Sequence, residues 1–257
     1  MSPERAGISL EGKTVLVTGA SGGIGGAIVR RIAALGGMPV IHYARNAAAA
    51  EALLSEIGGA GTPVQADLSV PEGATALWQE AVARCGRIHA LVNNAGVRGL
   101  ARVGDDLALW QSAWDSDLRV NLLAPADLCR LAIRHFRDAG GGRIVNIASR
   151  AGQRGYTEDH MPYGASKAGL INLTKSIARN FGKDGVTAVA IAPGFVRTEM
   201  AESFVAAHGR AAAVGDIPTG EMVTPEELAD LVAFTLRDAQ VSLNGATLDV
   251  NGGSYLR

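Results

Sequence analysis

Tyr163 and Lys167 stand four residues apart in the run YGASK, a spacing that puts a phenol and an ammonium on one face of a helix. A free phenol, with a pKa of ~10, is a poor acid–base catalyst at neutral pH, and a neighbouring cation stabilises the phenolate and draws that value down. Ser149 ends the preceding strand-like run GRIVNIAS, residues 142–149, where open α/β sheets place their ligands, so its hydroxyl can bond a substrate oxygen beside Tyr163. Taken singly, each has an ordinary reading: Tyr and Lys at this spacing are common on helix surfaces, and a strand-end Ser is often a cap.

A second chemical feature lies near the start of the chain. The turn TGASGGIG, residues 18–25, follows a β-branched run and opens a helical pattern, the context in which glycine-rich turns receive a pyrophosphate. Gly19 permits the exit from the strand, Gly23 lets a phosphate approach the backbone, and Gly25 lets the helix pack on the sheet. Free amides at the helix start then meet the anion, so the expected cradle is Gly19, Ser21, Gly22, Gly23, Ile24 and Gly25. The second strand-like run ends His42-Tyr43-Ala44-Arg45-Asn46 with no carboxylate. Arg45 offers a planar fork to a ribose 2′-phosphate, so NADP(H) is expected over NAD(H); the alternative is a solvated loop charge.

Positioning these groups requires a particular architecture. Strand-like runs (KTVLVTG, MPVIHY, TPVQAD, IHALVNN, GRIVNIAS, VTAVAIAP and ATLDVNGG) alternate with helical patterns at 23–36, 46–58, 70–85, a long stretch to about 138, 162–182 and 225–237. Such alternation predicts a doubly wound α/β fold, a single Rossmann-type domain over residues 1–257 with a seven-stranded parallel sheet and helices on both faces. Residues 199–223 are the least regular, and both a lid over a substrate site and a plain surface connection fit them.

Composition narrows the partners. The chain has 257 residues, 47% of them hydrophobic and 19% charged, with a net charge of −1; it can bury a full core, and it has no field to hold nucleic acid or an anionic membrane. The longest stretch without charge, Thr14 to Val29, holds five glycines and is too short to span a bilayer. Glu4, Arg5 and Glu11 occupy the place where a signal peptide needs apolar residues, so a cytoplasmic protein is expected. Cys85 and Cys129 have no CxxC partner and the five histidines have no ligand spacing, which points to reduced thiols and no metal.

Taken together, TGASGGIG, Asp67-Leu68 after the third strand, NNAG (93–96), Asn121, Ser149, YGASK, PGFVRT (193–198) and VNGG (250–253) resemble the short-chain dehydrogenase/reductase family from Lys13 to about Gly253. Within it the chain looks most like the 3-oxoacyl-acyl-carrier-protein reductases and related carbonyl reductases. The resemblance implies hydride transfer between a nicotinamide and a carbonyl or secondary alcohol, an acyl thioester being one candidate substrate. Tyr163 would be the acid–base group and Ser149 would orient the oxygen. Lys167 would hold the nicotinamide ribose and lower the Tyr163 pKa, while Asn121 would position a relay water. Asp67 and Leu68 would face the adenine and Asn94, Ala95 and Gly96 the adenosine side. Ile191, Pro193, Gly194, Val196 and Thr198 would lie along the nicotinamide and phosphates. A homotetramer is implied, with Leu170, Leu173 and Ile177 suiting either a core or a subunit seam. Arg130, Arg134 and Arg137 fit either a landing patch for an acidic carrier or a solvated face.

The Ser149-to-Tyr163 segment departs from the pattern: it is longer and more polar than expected, and Arg150 stands where many relatives carry a small residue. That polarity fits either a polar substrate or a solvated loop, and His160 fits a loop residue before Pro162 opens the helix. Two other functions remain to be separated: a non-catalytic dinucleotide-binding regulator and an NAD-dependent secondary-alcohol dehydrogenase.

Overall fold

Val15 and Val17 face one side of the first strand and Leu16 the other, and all three are completely buried, as a strand covered on both faces requires. The structure, a computed structural model, describes residues 9–257, except the side chains at 200, 203, 207 and 208. Glu4 and Arg5 and the side chain of Met200 thus lie outside the described residues.

The chain runs β1 (Thr14–Val17), α1 (Gly23–Ala34), β2 (Met38–Tyr43), α2 (Ala47–Glu56), β3 (Thr62–Gln65), α3 (Gly73–Cys85) and β4 (Ala90–Asn93). It continues through α4 (Leu107–Leu118), a widened π turn at Arg119–Leu123, α5 (Ala124–Asp138), β5 (Gly142–Ile147), α6 (Ala151–Arg154) and α7 (Met161–Phe181). After these come β6 (Val186–Pro193), α8 (Glu199–His208), α9 (Arg210–Val214), α10 (Pro225–Thr235) and β7 (Thr247–Val250). All seven strands are parallel, in the order β3-β2-β1-β4-β5-β6-β7. The chain winds outward from β1 to β3, crosses back to β4, and winds outward again, so the direction reverses between β1 and β4. Ligands of such sheets bind outside the carboxyl ends of the strands at that reversal.

The strand alternation sorts the side chains into two cores. Ile28 and Ile32 of α1 and Leu228 and Val232 of α10 pack with Val15 and Val17 on one face. Leu77 and Trp78 of α3, Leu128 and Phe136 of α5 and Ile177 of α7 pack with Leu16, Leu91 and Ile144 on the other. Ile177 and Leu170 are buried and Leu173 packs against this core, so these α7 positions serve the interior of this chain. Arg137 is ion-paired with Asp184 at 3.0 Å, which removes it from any free basic patch. Both cysteines are free thiols.

A buried amide ladder locks the centre of the sheet to α7. The Asn93 amide donates to Asn146 Oδ1 at 2.8 Å, and the Asn146 amide donates to Thr174 Oγ1 at 2.8 Å. The structure differs from the sequence expectation in the stretch before residue 138, where residues 94–106 form a loop rather than helix. Here α4 starts only where the Asp106 carboxylate accepts from the Leu109 amide at 3.0 Å, a capping bond that fixes the helix start.

Candidate active site

The β1 exit and the β4 exit are tied together by one hydroxyl and one amide. Thr18 Oγ1 accepts from the backbone amides of Asn94 and Ala95 at 2.9 Å each. The Asn94 side chain donates to the carbonyls of Thr18 and Gly19 at 2.9 and 3.1 Å. Gly19 has φ 63°, and a Cβ there would stand 2.8 Å from Ala95 Cα. At Gly25 a Cβ would collide with the Gly19 carbonyl and the Asn94 amide, so this position accepts nothing larger than glycine. Gly22 precedes α1 in extended conformation, no side chain caps that helix, and its first turn holds no acidic residue. The first amides of α1 therefore keep their hydrogen-bonding capacity and the positive end of the helix dipole for an incoming anion.

These strand ends and the loops after them wall a cleft of about 850 Å³. Gly19, Ser21, Gly22, Gly23 and Ile24 line it after β1, Arg45 after β2, Asp67 and Leu68 after β3, and Asn94, Ala95 and Gly96 after β4. Ser149 follows β5, Tyr163 and Lys167 come from α7, and Pro193, Gly194, Val196 and Thr198 close the far side. Gly25 and Asn121 stand behind the wall. Ile191 does not reach the cleft at all: it is fully buried in the core below, because its position in β6 turns it to the α1 side.

At the β5 end Ser149, Tyr163 and Lys167 come together. Tyr163 and Ser149 line the cleft together, the Ser149 hydroxyl favours the ionised phenol, and Ser149 Oγ accepts from the Ala151 amide at 3.1 Å. The Lys167 ammonium, 4% exposed, donates to the Ile147 carbonyl at 2.8 Å and lies 5.8 Å from the centre of the Tyr163 ring. Burial pulls the amine down to about 8, and the Asp117 carboxylate opposes that pull. The Tyr163 phenol is held above its ordinary value by burial, with the Ser149 hydrogen bond pulling the other way. The sequence reading expects Lys167 to draw this phenol down; here loss of water dominates and the phenol is raised.

Residues 13–209 match the family model described as short chain dehydrogenase. The chain belongs to that family. This short-chain dehydrogenase is 36% identical over 255 residues to the 3-oxoacyl-acyl-carrier-protein reductase FabG of Pseudomonas aeruginosa, covering 97% of this chain and 100% of the relative. It is also 36% identical to the D-threitol dehydrogenase of Mycolicibacterium smegmatis, covering 96% of this chain and 95% of that one. Among solved structures, the angucycline C-6 ketoreductase LanV with bound NADP superposes with a TM-score of 0.85 at 30% identity, covering 96% of each chain. The family's enzymes are oxidoreductases that use a nicotinamide dinucleotide, and the dehydrogenase has the matching fold.

Asn121 sits where the π turn leaves α4. Its Oδ1 accepts from the Val97 amide at 2.8 Å while its Nδ2 donates to the Val97 carbonyl at 2.9 Å and to Ser166 Oγ at 3.1 Å. A Cβ on Gly96 would meet Asn121 Oδ1 at 3.1 Å and Lys167 Nζ at 3.5 Å; a side chain here would crowd the ammonium. Asp67 uses one carboxylate oxygen for the amide and hydroxyl of Ser69, at 2.9 and 2.6 Å, and these bonds lower its pKa. Arg45 is exposed on the cleft wall, and its charge reaches Asp67.

Three further residues shape the dehydrogenase's site, of which the sequence singles out only Arg150. Arg150, 5% exposed, pairs with Asp216 at 3.0 Å and lies 5.8 Å from the Phe195 ring centre; it ties the β5 end to the segment after α9. Asp117 is fully buried one turn before Asn121, with Oδ1 accepting from the Gly99 amide at 2.8 Å and Oδ2 lacking a partner among the described residues. Burial raises its pKa. His42, at the end of β2, accepts from the Gly19 amide through Nδ1 at 2.9 Å and so donates from Nε2 to the Ala66 carbonyl at 3.1 Å. This imidazole shapes the glycine turn from behind, and burial pulls it down to about 4.

The lowered value makes His42 a pH-dependent contributor to stability. Unfolding frees it to bind a proton at its ordinary value, so its contribution is present above about pH 6.5 and is lost as pH falls toward 4, by about 3 kcal/mol in all. Urea unfolding at pH 7 and pH 4 tests this: the His42→Gln variant should lose about 3 kcal/mol less between the two conditions than the parent. Equal losses in both proteins would contradict the neutral, doubly bonded imidazole.

Proposed function

We propose that this short-chain dehydrogenase is an NADP(H)-dependent carbonyl reductase, one domain carrying both the cofactor turn and the acid–base groups. The observation that carries the reading is the placement of Tyr163, Ser149 and Lys167 in the same cleft as the uncapped start of α1. The residues fit the cofactor: Gly22 and Gly23 leave the backbone at the start of α1 bare on the cleft wall, the first turn of α1 has no side-chain cap and no acidic residue, and Arg45 stands after β2 without a carboxylate on that strand end. Bound there, the nicotinamide supplies or accepts the hydride at carbon.

The protein's part is the proton. Tyr163 gives its hydroxyl proton to the carbonyl oxygen as that oxygen gains negative charge, and takes it back in alcohol oxidation. Ser149 donates to the same oxygen and orients it. Lys167 supplies the positive charge that stabilises the phenolate as it forms and holds the ribose hydroxyls, and Asn121 fixes the loop beside Lys167 where a relay to solvent would run. Substrates are small carbonyl compounds or secondary alcohols, with acyl thioesters suggested by the FabG relatives. The Asp67 carboxylate near Arg45 favours a second reading, in which part of the cation is already answered and NAD(H) competes.

In this account α8 and α9 form a cover over the substrate end, supported by their own apolar cluster of Ala201, Ala213, Ile217 and Met222. The reading includes a cytoplasmic homotetramer, and the exposed Leu107 and Leu109 of α4 offer apolar surface that another copy would cover.

NADPH absorbance with a panel of ketones, including an acetoacetyl thioester, tests the mechanism. Tyr163→Phe should lower kcat about a thousandfold while NADPH still binds; full turnover in that variant would refute the assigned role, and binding without turnover by the parent on the whole panel would favour a regulator. Arg45→Ala should lower the NADPH-to-NADH ratio of kcat/KM about tenfold. An unchanged ratio would remove Arg45 from cofactor choice.

A further inference from the structure

Arg98 is held in place by its neighbours. Val97, before it, is gripped on both its amide and its carbonyl by Asn121, at 2.8 and 2.9 Å. Gly99, after it, gives its amide to Asp117 at 2.8 Å, and its carbonyl meets His160 Nδ1 at 2.8 Å. Further on, Ala101 donates to the Asp159 carbonyl at 2.9 Å. Three elements (α4, the π turn and the turn before α7) thus clamp both flanking peptides, and the intervening side chain is presented on the cleft wall.

The guanidinium itself is oriented as well. Arg98 Nη1 donates to the Tyr156 hydroxyl at 3.1 Å. The Tyr156 ring lies 5.6 Å from the Tyr163 ring and 5.8 Å from the His160 ring. One donor of the five on the fork is used, and Arg98 has no carboxylate within ion-pair distance among the described residues. The other cations of the cleft are engaged or distant: Arg150 is paired with Asp216, Lys167 serves the Ile147 carbonyl, and Arg45 follows β2. Of the carboxylates on the wall, Asp67 follows β3, and Glu199 follows Thr198, which lies beside Gly23. Both belong to the glycine-turn side rather than the Tyr156 side.

We propose that Arg98, aligned by Tyr156, is a subsite for a carboxylate carried by the substrate, so that the preferred substrates are short oxo acids. This rests on the carbonyl-reductase reading for its position beside Tyr163, but the subsite is a binding claim of its own. A planar fork one ring beyond the acid–base phenol matches a carboxylate a few bonds from the reacting carbonyl. The clamp on both flanking peptides means that little ordering is left to occur on binding.

The test compares levulinate with methyl levulinate, in which the charged oxygen is capped by a methyl group. Binding of each to the protein saturated with NADPH is measured by isothermal titration calorimetry, and kcat/KM is measured alongside. The parent should bind levulinate at least tenfold more tightly than the ester. Arg98→Gln should abolish that preference, Arg98→Lys should restore part of it, and Tyr156→Phe should lower it by a smaller factor. Circular dichroism and NADPH binding check that each variant is folded. An equal or undetectable preference in the parent, or one that survives Arg98→Gln, overturns the subsite. A preference that follows Arg98 without turnover of either compound would leave the subsite standing and sink the carbonyl-reductase reading instead.

Discussion

A lysine ammonium with 4% of its surface exposed is costly to keep charged, and most of the site is arranged around that cost. Lys167 has been taken out of water by the β4–β5 strand ends and by its own helix, which pulls it down to about 8. What keeps it useful is local. The Ile147 carbonyl at the end of β5 accepts one of its protons, the Asp117 carboxylate answers its charge from α4, and Gly96 leaves room beside it. Each of these must be delivered by a different element. The buried Asn93–Asn146–Thr174 ladder, which ties β4, β5 and α7 into one unit, gives the ammonium its fixed surroundings. A half-satisfied buried network would be worse than an apolar one, and the amides of Asn93, Asn146 and Asn121 all find acceptors under the cleft.

The same economy of space governs the other half of the cleft. Parallel strands end together, so the reversal of winding between β1 and β4 opens a crevice, and the crevice is held open by Thr18 and Asn94 bridging the two exits. The glycine turn passes so close to this bridge that the Gly25 position has no room for a methyl group. His42 supports it from β2 as a neutral ring. The uncapped start of α1 and the Tyr163–Lys167 pair of α7 are thus brought to one cavity by the sheet.

Much of this was legible before any coordinates. The strands announced themselves by β-branched runs, and all seven occur near the expected positions. The turn at 18–25 and the Tyr163–Lys167 pair are local patterns, readable because their partners lie within one helical turn or one strand–helix unit. What escaped depends on contacts across long sequence separations. Asp117 and Gly99, Arg98 and Tyr156, and Arg150 and Asp216 are joined only by the fold. Residues 94–106 fold as a loop where a helical stretch is expected, and Gly96, Gly99 and Gly104 are the breakers that the longer apolar pattern hides. Ile191 was placed at the cofactor by its neighbours in the motif, whereas strand alternation turns it into the core. For Tyr163 the sequence shows a cation nearby but not how much water the fold removes from the phenol, and burial raises it.

The central claim is that one desolvated ammonium organises the site, and its titration can be observed directly. Carbon-13 NMR of protein labelled at the lysine ε carbon, followed from pH 6 to pH 11 with Lys167→Met to assign the signal, isolates this amine from the other lysines. One resonance titrating near pH 8, and missing in the variant, is the result this account predicts. A Lys167 signal that titrates with the exposed lysines, at about 10.4, would contradict it.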